Sequence, residues 1–348
     1  MKQIQTSAWA VIGAGPAGIA AIAKLLDSGI SASEILWLDP EFAAGDFGTK
    51  WQEVSGNTRV KFFTSFLESS PSFGYEKNKS KFALSQMDPE ETCLLKDLAG
   101  PLCSITQDLR EQVQSVCALV SELSLAGGVW QLKTNAGLFQ SKQVILATGA
   151  TPKSLTHEGI AEISLENALH PEKLLKSCQK DDRIAVFGSS HSGILIVKAL
   201  CELGVKKVVN VYQSPLCFAV PMEDWILFDN TGLKGVAAQW AREHINGKLP
   251  DNLVRVHADS EDLANELNRC NKAVYAIGFK TRGPKVIGCE SLVHNPCNGI
   301  IAPGLFGLGI GFPERIQDPY GHQEANVGVL KFMNTITKLM PLWLNYRP

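Results

Sequence analysis

From Ala8 to Asp39 the chain reads AWAVIGAGPAGIAAIAKLLDSGISASEILWLD, and no other stretch restricts the fold as much. Trp9 to Ile12 are four consecutive apolar residues, which suits a strand buried on both faces. Gly13-Ala14-Gly15-Pro16-Ala17-Gly18 follows and fills the pattern G-x-G-x-x-G. Ala17 to Leu26 places Ile19, Ile22, Ala23 and Leu26 at helical spacing, and Gly29 stands where that helix would stop. Ile35 to Leu38 predicts a second strand, closed by Asp39, 21 residues after Gly18. Gly13 permits the tight turn, Gly15 lets the backbone approach a pyrophosphate, and Gly18 lets the helix pack close to the strand. Pro16 and Ala17 open a helix whose free N–H groups and positive dipole end would face phosphates. Asp39 could accept hydrogen bonds from a ribose. A lone glycine pattern is weak. Strand, turn, helix, strand and acid in this order predict a dinucleotide site.

At 348 residues the chain suffices for two ordinary domains or one large one, and 45% hydrophobic residues support a substantial core. A net charge of -2 and an isoelectric point near 6.4 give no electrostatic case for nucleic acid or an anionic membrane as partner. Trp9 to Ala23 is uncharged and follows Lys2, which imitates an export signal. It is only 15 residues long and contains Pro16 and three glycines, so the fingerprint explains it better. No other run approaches the roughly 20 apolar residues of a membrane span, and a cytoplasmic location is expected. The nine cysteines include no C-x-x-C pair. They imply neither a disulfide framework nor a zinc site, and each reads as a small buried apolar residue.

Glu41 to Gly56 is rich in glycine and charge and predicts a loop. Trp51 within it either covers a flat cofactor ring or packs as core. Asn57 to Ser72 carries Phe62, Phe63, Phe66 and Leu67, which line a substrate pocket or, for most of them, pack in the core. Leu94 to Val120 predicts one or two helices, with Leu109, Val113, Val116 and Val120 as an apolar stripe. Ser121 to Phe139 predicts short strands that turn at Gly127-Gly128 and Asn135-Ala136-Gly137. Gln143 to Ala147 predicts another buried strand, which leads into Thr148-Gly149.

Arg183 to Tyr212 repeats the opening theme. Ile184 to Phe187 predicts a strand, Gly188-Ser189-Ser190-His191-Ser192-Gly193 a glycine-bounded turn, Ile194 to Leu203 a helix and Lys207 to Tyr212 the next strand. Ser190 stands where the middle glycine would be and could itself bond a phosphate. Tyr212 ends the strand without an acid. A second dinucleotide site is predicted here. The segment does not make a nucleophile elbow, because G-x-S-x-G needs glycine at position 192 and finds Ser192. Ser260 to Leu267 predicts a helix, and Ala273 to Ile277 a strand ending in Gly278-Phe279. His322 to Leu339 predicts the final helix, with Val327, Leu330, Met333 and Ile336 as its apolar side and Pro341 as its end.

The constellation resembles the two-dinucleotide-binding-domain flavoproteins, the pyridine nucleotide-disulfide oxidoreductase-like superfamily. That group includes thioredoxin-reductase-like enzymes, flavin-containing monooxygenases and N-hydroxylating monooxygenases. Five landmarks follow its order: the opening fingerprint with Asp39, Ala147-Thr148-Gly149, Gly188 to Gly193, Ala276-Ile277-Gly278-Phe279, and Pro303 to Gly309. The resemblance implies an α/β fold of two nested Rossmann-like doubly wound domains. Residues 1–152 and 280–348 would form an FAD-binding domain, and residues 153–279 an inserted NAD(P)H-binding domain. The first fingerprint would bind FAD and the second NADPH or NADH, with Thr148, Gly149, Gly278 and Gly309 as further cofactor-binding positions. The last helix would point its N-terminus, near His322 and Gln323, at the flavin ring, where partial positive charge stabilises the reduced anion.

Details lean toward the monooxygenase branch. Thioredoxin-reductase relatives carry a close cysteine pair, and in the last landmark a Gly-Asp; here Gly309 is followed by Ile310. Gly45 to Trp51, Val211 to Pro215 and Pro303 to Gly309 look more like the flavin-containing monooxygenases. The monooxygenase pattern F-x-G-x-x-x-H is not met, because alignment on His170 puts Ser164 and Glu166 at its Phe and Gly positions. The arginine that usually pairs with the NADPH phosphate falls on Gln213, a neutral residue that lacks a charge-assisted bond.

The expected function is that of an FAD-dependent NAD(P)H oxidoreductase, monooxygenase-like, acting on a small molecule with oxygen as candidate acceptor. Trp51 and Asn57 are the candidate catalytic residues; Asn57 could hydrogen-bond activated oxygen or a substrate, or simply occupy a turn. One alternative is a reductase that uses a single cysteine, such as Cys103 or Cys297, or a partner's thiols. Another is a non-enzymatic FAD-binding sensor or scaffold with a decayed nicotinamide site. Any self-association would most commonly be a twofold dimer.

Overall fold

The opening fingerprint builds the centre of a parallel sheet. Thr6–Ile12 lies between Ile35–Asp39 and Gly137–Leu146 and runs parallel to both. Gln114–Cys117 continues the sheet beyond Ile35–Asp39, and Leu305–Gly307 lies parallel beside Gly137–Leu146. The computed structural model that shows this describes residues 6–346. Trp9 and Val11 face one layer, which contains the helices Pro16–Asp27, Leu95–Gln112 and Val329–Asn345. Ala10 and Ile12 face the other, where Leu123, Trp130 and Leu132 cover them from the antiparallel strands Val120–Ala126 and Val129–Thr134. Both faces are dry, so the strand needs an unbroken apolar run rather than an alternating one.

A second sheet has the strand order Ala161–Glu162, Lys272–Tyr275, Arg183–Phe187, Lys207–Tyr212 and Leu253–His257, all parallel. Its fingerprint strand is again central, with the next strand on one side and a late strand on the other. Ala150–Pro152 and Phe279–Thr281 pair antiparallel where the chain leaves the first sheet and returns to it. The result is an α/β fold of two Rossmann-like units, one set into the other in sequence. No helix among the described residues is long and apolar enough to cross a membrane.

Several local expectations are corrected. The predicted loop 41–56 contains a helix, Gly45–Thr49, and ends in the strand Ser55–Arg59, so Asn57 is in a strand and not in a turn. The helix predicted across Leu94 to Val120 stops at Gln112; Val116 and Val120 belong to the strands Gln114–Cys117 and Val120–Ala126. The second fingerprint helix starts at His191, three residues earlier than predicted. The final helix starts at Val329, not His322, and runs to Asn345 with Pro341 inside it. His322 and Gln323 instead lie in a hairpin that pairs Glu314–Gln317 with Gln323–Asn326.

Candidate cofactor and substrate site

The two glycine turns are built alike. Gly13 has φ +109°, and a Cβ there would lie 2.3 Å from the Ala147 carbonyl oxygen. Gly188 has φ +108°, and its Cβ would lie 2.2 Å from the Ala276 carbonyl oxygen. Both turns therefore need glycine for the turn itself and for the close approach of a neighbouring strand end. The same test separates Gly15 from the others. A Cβ on Gly15 would have nothing nearer than 4.0 Å, so internal packing does not demand glycine there. What glycine provides at this point is an open face on which a pyrophosphate can approach the backbone. The residues fit the dinucleotide that the fingerprint implies. Ser190, at the matching place in the second turn, is exposed.

Asp39 is buried, and its carboxylate has work inside the protein. One oxygen accepts from the Ala14 N–H at 2.8 Å; the other accepts from the N–H groups of Glu41, at 2.9 Å, and Phe42, at 2.7 Å. It ties the fingerprint turn to the loop after the second strand, and it lines the cavity beside that turn.

That cavity has a volume of about 1430 Å³, above the roughly 300–1,000 Å³ of ordinary ligand pockets. It starts at Gly13 to Ala17, passes Thr148, Gly149 and Gly309, and reaches Trp51, Asn57 and the first turn of the final helix. Its far wall includes His191 and Ser192 of the second turn. One space therefore joins both fingerprints. Trp51 lines it while packing against the core of the second sheet, and meets Phe279 edge-on at 6.5 Å. Asn57 is half-buried there, and its Oδ1 accepts from the Thr58 hydroxyl at 3.3 Å. Gly18, Gly188, Ser190, Gly193, Gln213, Gly278, His322 and Gln323 do not line this cavity. The helix end that does face it comprises Gly328 and Val329.

His191 crosses between the two units. Its Nε2 donates to the Ser55 carbonyl at 3.0 Å, while its Nδ1 is buried without a partner. Burial, with the nearby Lys234 charge, holds its pKa below the usual histidine value, although the Ser55 bond works the other way.

The sequence reading missed two groups lining this space and one beside it. Arg282 donates to the Thr148 carbonyl at 2.9 Å, and its guanidinium lies 3.1 Å from Asp46. It braces the Thr148-Gly149 turn against the helix Gly45–Thr49. Asp229 lies between Lys234 and Lys331, and all three line the cavity. Burial pushes the Asp229 carboxyl up, but its bonds to the two ammonium groups outweigh this and leave it below the usual range. The nearby Glu324 accepts from Asn230 and Thr231 backbone and side-chain groups. Apart from the Asp229–Lys234 pair, these contacts join residues far apart in sequence, so no local pattern could announce them. A lysine one turn into an apolar helix was the sole hint for Lys331.

Two sheets with parallel centres, each with a glycine turn, around one shared cavity define a two-dinucleotide flavoprotein. A family model described as pyridine nucleotide-disulphide oxidoreductase matches residues 7–282, and the chain belongs to that family. It is an FAD-dependent NAD(P)H oxidoreductase. It is similar to the monooxygenase AgnR1 of Paecilomyces divaricatus, at 30% identity over 392 residues, covering 99% of this chain and 100% of that protein. In structure it is similar to a flavin-containing monooxygenase from Stenotrophomonas maltophilia, with TM-score 0.68, 14% identity and 99% of each chain covered. It also resembles the bacillithiol disulfide reductase of Staphylococcus aureus, with TM-score 0.61, 11% identity, and 98% of this chain and 99% of that one covered.

Proposed function

We propose that this protein is a monooxygenase acting on a small molecule, with residues 1–152 and 280–348 binding FAD and residues 153–279 binding reduced nicotinamide. The observation that carries this is the single cavity reaching from the Gly15 face to His191. Bound flavin would supply hydride acceptance from nicotinamide and electron delivery to oxygen. The chain's own residues do the rest. Gly13 to Ala17 offer N–H groups to a pyrophosphate, and the first turn of the final helix offers a positive end to developing negative charge. Lys331 adds a charge to that end, tempered by Asp229. Trp51 walls the space against water, and Asn57 presents an amide to the substrate or to oxygen.

The thiol-dependent alternative has less support. No cysteine lines the cavity among the described residues. Cys103 is exposed, and burial of its sulfur raises its pKa, which lowers its thiolate fraction. Nine cysteines without a disulfide suit a reducing compartment such as the cytoplasm.

An anaerobic absorbance titration tests the reading. The purified protein should be yellow and should bleach with reduced nicotinamide, then regain its colour when air is admitted. A yellow protein that neither NADPH nor NADH bleaches would remove the hydride-transfer function and favour the sensor. Asn57→Ala should leave bleaching intact and lower substrate-dependent oxygen use by roughly tenfold or more.

A further inference from the structure

Arg255 is held at the second glycine turn in an unusual way. It lies on the strand Leu253–His257, opposite Asn210 in register. Its Nε donates to Asn210 Oδ1 at 3.0 Å and its Nη2 to Ser189 Oγ at 2.8 Å. Its guanidinium lies 4.3 Å from the centre of the Tyr212 ring. Asn210 is fully buried, and its amide donates to the carbonyls of Val186 and Gly188, so the arginine is fastened to the turn itself.

These partners are all neutral. Arg59, Arg183 and Arg282 each have a carboxylate within 4 Å. Arg255 has none among the described residues, although it is half-buried. Burial lowers its pKa, with the Tyr212 hydroxyl opposing. An arginine nevertheless keeps its charge, and two of its five N–H groups are committed here. A partly desolvated charge without a counter-ion is costly until an anion arrives.

The place of this charge indicates which anion. In a G-x-G-x-x-G unit the adenosine ribose lies at the end of the strand after the turn, where an acid selects an unphosphorylated ribose and an arginine a 2′-phosphate. That strand ends here at Tyr212 and Gln213. Gln213 is exposed and neutral, and its carbonyl accepts from His257. The position therefore carries no acid to repel a phosphate. We infer that Arg255, reaching over from the neighbouring strand to Ser189 and Tyr212, is the specificity residue that recognises the 2′-phosphate of NADPH. The inference rests on reading residues 153–279 as the nicotinamide-binding unit, and it makes NADPH rather than NADH the preferred reductant.

The test is calorimetric titration of the FAD-loaded protein with adenosine 2′,5′-bisphosphate and with 5′-AMP. The bisphosphate should bind more tightly, and Arg255→Gln should weaken it by about ten- to hundredfold while leaving 5′-AMP nearly unchanged. Gln213→Glu, an exposed change that leaves Arg255 and its partners in place, should weaken the bisphosphate selectively by roughly tenfold. This second variant keeps the test decisive if Arg255→Gln fails to fold. Equal binding of the two nucleotides by the unaltered protein would overturn the inference. So would a preference that survives Arg255→Gln or Gln213→Glu. If neither nucleotide binds, the nicotinamide reading of this unit fails, and the inference falls with it.

Discussion

Asp39 shows how one residue can be located by sequence while part of its work stays hidden. Its distance from the fingerprint and its place at a strand end were legible, because both follow from strand and helix length. Its three backbone partners were not, because the path of the loop through Phe42 depends on Phe42 and Ala44 adopting positive φ, 52° and 56°, which no residue type there suggests. A ribose ligand and a structural anchor make different predictions. Asp39→Ala leaves buried N–H groups of Ala14 and Phe42 unpaired, so the FAD-free protein itself should lose roughly 3 kcal/mol in a denaturant titration. Asp39→Asn, which keeps one acceptor, should lose less. If Asp39→Ala only weakens FAD retention and leaves the FAD-free protein as stable as before, the anchoring role is wrong.

At the scale of elements, the final helix marks the limit of pattern reading. Its apolar side was visible at Leu330, Met333 and Ile336, but its ends were not. The hairpin before it is made mostly of polar residues, Glu314–Gln317 and Gln323–Asn326, with one apolar residue in each strand and so no apolar period. The start is set by Gly328, at φ +155°. Pro341 fails to end the helix because tertiary contacts outweigh it. Its missing N–H frees the Thr337 carbonyl on the exposed side, where water can serve it. Beyond it, Trp343 is fully buried, stacks on Phe306 at 4.8 Å and donates to the Asn298 carbonyl at 2.7 Å. Trp343→Ala should therefore cost about 3–5 kcal/mol in denaturant unfolding. Because the helix also presents Gly328 and Lys331 to the cavity, the variant should release FAD more readily. A loss near 1 kcal/mol would mean that the last turn is held by something other than this tryptophan.

For the whole molecule, the two strand–turn–helix–strand patterns predicted the two parallel units, since burial on both faces leaves long apolar runs in the sequence, while the nesting of one unit in the other came from the family resemblance. The contacts that set one unit against the other were not readable. His191 to Ser55, Lys331 to Asp229 and Glu324 to Thr231 all join residues about a hundred positions apart. They also titrate in different windows. Asp229 and Glu324 are pushed up by burial, but their hydrogen bonds win and hold both below the usual carboxylate range. Their contribution is present above about pH 4 and is lost only as pH falls through still lower values. His191 is depressed chiefly by burial. Its neutral ring contributes fully above the unfolded value of about 6.5, and that contribution is lost as pH falls toward and through its lowered folded value. As pH falls below about 6.5, while both carboxylates are still ionised, His191 is the member of this set that changes. Protonation leaves the Nε2 bond to Ser55 intact but places charge on an Nδ1 that has no partner. The unaltered protein should lose up to about 1.4 kcal/mol per pH unit across this window. His191→Gln, which keeps a donor for Ser55 and cannot titrate, should fall less steeply. Thermal unfolding of both proteins at pH 7.5 and 5.5 provides the comparison. Parallel losses would show that the pH response lies in other groups, and that His191 serves the junction by shape and its single hydrogen bond alone.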